Sequence, residues 1–124
     1  MIIREAGENY LETIYMLLRE QEKVRSIDVC NRLGYSKPTV SVMMKQLRES
    51  GYITTDPDGY IALSDTGREI AESIYERHVV IARVLMSIGV SEETAYADAC
   101  KIEHDISPES FECMKKSYAD SLAL

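Results

Sequence analysis

The sequence predicts a mainly α-helical fold carrying one short β-hairpin. Three observations carry that prediction. Apolar residues recur at three and four along several stretches, and Ser, Gly and Pro punctuate them where helices begin and end. The one stretch that changes pattern, residues 52–63, is split by Asp56-Pro57-Asp58-Gly59. At 124 residues, 45% of them hydrophobic, the chain suffices for one domain or two very small ones with a real core, which argues against disorder.

Residues 8–20 place Tyr10, Ile14, Leu17 and Leu18 at helical spacing, with charges opposite. Ser26 is a candidate N-cap for a short helix, Ile27 to Leu33, closed by Gly34. Ser36 caps the next, with Pro38 tolerated in its first turn. There Val40, Met43, Met44 and Leu47 form the inward stripe, and Ser50-Gly51 ends the helix. Tyr52 to Thr55 and Tyr60 to Leu63 read as strand, turn, strand. Ser64 or Asp65 caps a long helix with Ile70, Ile74, Ile81, Leu85 and Ile88 inward, closed by Gly89. Ser91 opens a fifth helix whose Glu92 and Glu93 suit the positive end of its dipole. Ser107-Pro108-Glu109 opens a sixth, where Phe111, Met114 and Tyr118 recur at three and four. Two helices joined at Gly34-Tyr35 and followed by a hairpin spell a winged helix-turn-helix. Residues 1–70 are assigned to it, and 71–124 to a C-terminal helical domain.

The net charge of −7 argues against a generic nucleic-acid coat, but the sum hides an asymmetry. Between Lys23 and Ser50 lie six bases (Lys23, Arg25, Arg32, Lys37, Lys45, Arg48) and two acids, a local +4 that leaves −11 for the remainder. A basic patch on an acidic body points to an oriented contact with a polyanion. Three cysteines, Cys30, Cys100 and Cys113, make no disulfide framework. Met1-Ile2-Ile3-Arg4 starts no secretory segment, and no apolar run approaches the roughly 18–20 residues of a membrane span. A reduced, cytoplasmic protein without membrane contact is the expectation.

A helix that reads DNA needs one face for the core and another for the major groove. Opposite the Val40–Leu47 stripe stand Ser36, Lys37, Thr39, Ser41, Lys45 and Arg48. Hydroxyls near the N-terminus can approach base edges or phosphates, while Lys and Arg further along neutralise the backbone. The Pro38 methylenes could pack on a thymine methyl. The plainer alternative is an amphipathic helix with a solvated polar face. The hairpin tip, with Asp56 and Asp58 and no base, would repel phosphate.

Both histidines, His78 and His104, lie in the second half. In Cys100-Lys101-Ile102-Glu103-His104, thiolate, carboxylate and imidazole share one helical face at i, i+3, i+4. That is half of a plausible site for a divalent transition metal, with His78 as a further ligand if the two helices pack antiparallel across the Gly89 turn. Asn9 and Glu12 offer oxygen donors on the first helix. A core histidine, a small packed cysteine and a surface glutamate are the competing explanations. A nucleophile–base pair of Cys100 and His104 is disfavoured, because no oxyanion loop or substrate-pocket motif accompanies it. No enzyme and no small-molecule substrate is expected.

Glu8-Asn9-Tyr10-Leu11-Glu12-Thr13-Ile14-Tyr15, Ser36-Lys37-Pro38-Thr39-Val40-Ser41 and Asp98-Ala99-Cys100-Lys101-Ile102-Glu103-His104 resemble three segments of the iron-dependent repressors, the diphtheria toxin repressor and its manganese-responsive relatives. The resemblance runs in order from about residue 4 to 120. It implies a homodimeric, metal-activated repressor of double-stranded DNA with a winged helix and a C-terminal helical dimerisation domain, in a short two-domain form without the SH3-like third domain. His78, Cys100, Glu103 and His104 fall on ligand positions of the family. Cys100 resembles the iron-responsive branch and Glu12 the manganese-responsive one. Asn9 departs from both, and Ala82 and Tyr96 stand where the iron branch has an acid and a His, so an ancillary site of that type is expected to be lost.

A thiolate disfavours Mn²⁺, so Fe²⁺ is the expected cofactor with Mn²⁺ second, and Zn²⁺, Co²⁺ or Ni²⁺ are expected to bind in vitro. Ligand deprotonation makes that binding weaken as pH falls. The expected mechanism is a population shift. Metal joining Asn9 and Glu12 to the later ligands would favour the arrangement in which two recognition helices meet successive major grooves, about 34 Å apart, of a palindromic operator. The last two helices, through Ile106, Phe111, Met114 and Tyr118, are the expected dimer surface. A winged-helix regulator gated by an organic ligand or a partner protein is the alternative.

Overall fold

The computed structural model describes residues 5–122, with side chains through Ala119; Met1–Arg4, where no secretory segment was expected, lie outside the described residues. The elements run α1 (Glu5–Glu20), α2 (Ser26–Leu33), α3 (Lys37–Glu49), β1 (Ile53–Thr55), β2 (Ile61–Leu63), α4 (Asp65–Ser87), α5 (Glu92–Ile102) and α6 (Pro108–Leu122). The chain divides into two compact units within α4, between Glu72 and Ser73.

The first unit is a winged helix-turn-helix. Within the described residues α1 covers Glu5–Glu20, and its acids Glu5 and Glu8 complement the helix dipole. Arg25, not Ser26, is the N-cap of α2. The reason is Asp28, whose Oδ2 accepts the Arg25 backbone N–H at 2.8 Å, which leaves Ser26 as the first helical residue. Gly34 closes α2 at φ 74°, a left-handed conformation that glycine adopts without a Cβ penalty. Ser36 then caps α3, its Oγ accepting the Thr39 N–H at 3.4 Å. The strands are three residues each, paired Ile53↔Leu63, Thr54↔Ala62 and Thr55↔Ile61, so Tyr52 and Tyr60 lie outside the ladder. At the tip Asp56 Oδ1 accepts from the N–H groups of Asp58 and Tyr60, both at 2.9 Å, so this acid serves the turn. The strap before α2 lies along β2, where Ile61 N–H donates to the Val24 carbonyl at 2.8 Å. Leu11, Ile14, Val24, Val29, Val40 and Leu47 form the fully buried centre with Met44, Ile53 and Ile61 around it. Each such side chain contributes about 1.5–3 kcal/mol on burial.

α4 enters this unit by a close approach. Ser64 Oγ accepts the Gly67 N–H at 3.1 Å and faces the carbonyls of Gly51 and Tyr52 at 2.7 and 3.0 Å. The Gly67 α-carbon is pressed so near Tyr52 that a Cβ there would sit 2.1 Å from the Tyr52 carbonyl oxygen.

The second unit packs α5 and α6 on the later part of α4. Ala95 and Ala99, four apart and fully buried, bring α5 close to Ile81 and Ala82, and Phe111 of α6 completes that core. Phe111 is therefore intrachain core at 5% exposure, which removes it from the expected dimer surface. Ile88 is also not inward. It is 74% exposed, because it follows the last residue of α4 in the Gly89 turn. Together with Val84, Cys113, Met114 and Tyr118 it lines a surface groove of about 370 Å³.

Candidate metal centre and nucleic-acid surface

His78, Cys100 and Glu103 converge. One donor atom from each lies within 4.8 Å of the others, the one such group of three or more among the described residues. Local sequence explains the placement. Ala95, Ala99 and Glu103 follow one another at four-residue spacing as a buried stripe, while half-buried Tyr96 and exposed Cys100 flank it. The Tyr96 ring packs on His78, centroids 5.3 Å apart, in the position where an ancillary ligand would have stood. Ala82, at the other such position, is fully buried.

The carboxylate of Glu103 is fully buried. Nδ1 of His78 lies 2.9 Å from its Oε2. Its Oε1 accepts no hydrogen bond among the described residues and faces Nε2 of His104 at 3.3 Å. A buried carboxylate oxygen left short of hydrogen bonds is costly unless a cation answers it. An imidazole nitrogen, a thiolate sulfur and a carboxylate oxygen at this spacing suit a divalent transition metal. The residues therefore fit such an ion.

The expected ligand set is brought together only in part. α5 ends at Ile102, so Glu103 is its C-cap, still helical at φ −57°, ψ −27°, while His104 follows in the turn. The run Cys100–Glu103–His104 thus does not present three donors from one helix. His104 approaches Glu103 but is outside the three-donor group. Asn9 and Glu12 share a face of α1 in the first unit, where Glu12 is buried and Asn9 half-buried.

Ser36, Lys37, Pro38, Thr39, Ser41, Lys45 and Arg48 are all exposed on α3. Ser36 and Thr39 have hydroxyl oxygens 2.9 Å apart as part of the cap, so they also serve the start of the helix. Two features escaped the sequence reading. Val42, one turn after Pro38, is 59% exposed on the face expected to be polar. Lys23 and Arg25 both lie over the Tyr60 ring, at 4.8 and 4.4 Å, which supplies the wing with the positive charge its tip lacks. The only sequence trace of this was the basic count from Lys23 onward.

Comparison with known proteins agrees with this architecture. Residues 3–61 match the family model for the iron dependent repressor, N-terminal DNA binding domain, and residues 64–120 that for its metal binding and dimerisation domain. The chain is 37% identical over 112 residues to the transcriptional regulator MntR of Escherichia coli O6:H1, covering 90% of this chain and 72% of that protein. It is 34% identical over 110 residues to an HTH-type transcriptional regulator of Methanocaldococcus jannaschii, covering 87% and 88%. Among solved structures, the manganese regulator SloR superposes with a TM-score of 0.80 at 27% identity, over 96% of this chain and 55% of that one. A manganese-dependent transcriptional repressor in complex with manganese gives 0.82 at 25%, over 90% and 51%. The chain thus spans about half the length of those two solved chains. These relatives are regulators rather than enzymes. Two family models in tandem, a winged helix and a donor cluster in the metal-binding half lead to one conclusion: the chain belongs to the iron-dependent repressor family.

Proposed function

We propose that this chain is a repressor that binds a palindromic DNA operator as a homodimer when loaded with a divalent metal. The observation that carries the reading is the His78–Cys100–Glu103 cluster around a fully buried carboxylate. When bound, the ion supplies the positive charge that holds these donors together and favours the DNA-competent arrangement. His78, Cys100 and Glu103 are its principal ligands, with His104 beside them, and Asn9 and Glu12 are proposed as further oxygen donors. Lys37, Pro38, Ser41 and Val42 face the bases, while Ser36, Thr39, Lys45 and Arg48 serve the helix start and the phosphates. The mostly apolar groove at Ile88 and Met114 supports a second copy of the chain as the partner there.

Fe²⁺ is the proposed ion on the strength of the Cys100 thiolate, with Mn²⁺ the direct competitor because the similar solved structures are of manganese regulators. The test uses a duplex selected by the protein from a random pool. Affinity measured anaerobically is expected to rise at least about tenfold from chelator to saturating Fe²⁺, the equivalent of ~1.4 kcal/mol of preference between states. Equal affinity in both would overturn the reading. Cys100→Asp, which replaces a soft donor by a hard one, is expected to shift the Mn²⁺/Fe²⁺ affinity ratio toward Mn²⁺. Full metal affinity in Glu12→Gln would remove Glu12 from the ligand set.

Lys23 and Arg25 are proposed as phosphate contacts beside the wing. Replacing both with Ala is expected to lower the slope of log affinity against log salt by about 1.8, two contacts at roughly 0.9 each. A slope equal to that of the unaltered protein would remove them from the DNA surface.

A further inference from the structure

Arg77 precedes His78 on α4, and its side chain runs to the other ligand-bearing segment. Its Nη1 donates to the backbone carbonyl of Glu103 at 3.2 Å and to that of Ile106 at 3.2 Å. One Nη1 carries two hydrogens, so both bonds can form together. The guanidinium carbon lies 5.4 Å from the centroid of the Phe111 ring on α6. These carbonyls follow the end of α5, where a helix leaves acceptors without intrahelical donors and favours a positive charge. A planar guanidinium can answer two carbonyls and stack on a ring at once, which an ammonium cannot.

We propose that Arg77 is a positioning residue for the metal centre. It fastens the main chain at Glu103 and Ile106 to α4, so that the Glu103 carboxylate is presented to His78 and the turn that carries it is tied to α6. His78 and Glu103 are 25 positions apart, yet the side chain next to one grips the backbone of the other. Bond rotation at Glu103 is restrained from its own carbonyl, which narrows the positions its carboxylate can take. The inference rests on the metal reading of the cluster.

The test is binding of Mn²⁺ and Co²⁺ to the full chain, by titration calorimetry and by Co²⁺ d–d absorption, in Arg77→Met, Arg77→Lys and, as a charge control on the same helix, Arg83→Met. Partners that orient metal ligands typically account for 10–100-fold in affinity. Arg77→Met is expected to weaken binding at least tenfold and alter the Co²⁺ spectrum. Arg77→Lys recovers part of that loss, and Arg83→Met changes neither. Thermal unfolding without metal separates a packing role. A lowered melting temperature with wild-type affinity and spectrum would overturn the proposal. Should the Met variant not fold, the Lys variant decides on the same readings. Failure of the unaltered protein to bind either ion would sink the metal reading itself, whereas binding by it and equally by both Arg77 variants would sink this inference alone.

Discussion

Glu103→Ala is expected to weaken divalent-metal binding by at least about 100-fold, the upper end of what loss of a partner merely supporting a ligand entails. Metal-dependent DNA binding is expected to disappear with it. The size follows from position. Of the three converging donors Glu103 alone is both fully buried and anionic, and it touches His78. A charge shielded from water attracts a cation far more strongly than one on the surface. Stability without metal should respond quite differently. Breaking a buried pair is damaging when a charge is stranded, but here the sealed carboxylate is itself the charge removed, so the metal-free melting temperature is expected to change little. Calorimetric titration with Mn²⁺ and a parallel thermal melt distinguish the two effects. Affinity within threefold of wild type would remove Glu103 from the ligand set. Glu103→Gln, which preserves the shape and one carbonyl acceptor, is expected to lie between the two.

Gly67→Ala is expected to destabilise the winged-helix unit by about 2–3 kcal/mol, in the range of overpacking substitutions. The added methyl would meet the Tyr52 carbonyl oxygen at 2.1 Å and the Tyr52 carbonyl carbon at 3.0 Å. Neither is the loose end of a side chain. To make room, the backbone at Tyr52 must move, yet its carbonyl accepts the Ser64 N–H at 3.0 Å and its N–H donates to Leu47 O at 3.0 Å. For a domain this small, such a loss lowers the melting temperature by about 10 °C or more. A circular-dichroism melt within about 2 °C of wild type would show that the approach is not tight in solution, given the same conversion.

What was legible in the sequence was what is local. Ser36, Ser64, Ser91 and Ser107 announce helix starts because an N-cap contact spans three residues, and all four hydroxyls accept such an N–H. The α3 core stripe was legible for the same reason, since its period is set by the helix. Arg25 displaced Ser26 as a cap because Asp28 competes for the same turn. Ile88 continued the apolar spacing of α4 but lies beyond its last turn, where periodicity no longer dictates facing. The placing of Lys23 and Arg25 on Tyr60 depends on a strap pairing with β2, which no local pattern encodes. At the candidate metal centre, residue types and spacing singled out His78, Cys100, Glu103 and His104, but only the fold shows that the first three converge while His104 follows α5 in the turn.

The burial of the three donors is graded: Cys100 is exposed, His78 half-buried and Glu103 sealed. An ion held by these three residues would have the Cys100 thiolate on its water-facing side and the Glu103 carboxylate on its sealed side. The exposed sulfur would then contribute selectivity by its softness, and the buried carboxylate would hold the ion by its charge. Exchange with competing ions in solution would then be governed at the doorway, by the residue that differs most in softness from an oxygen ligand.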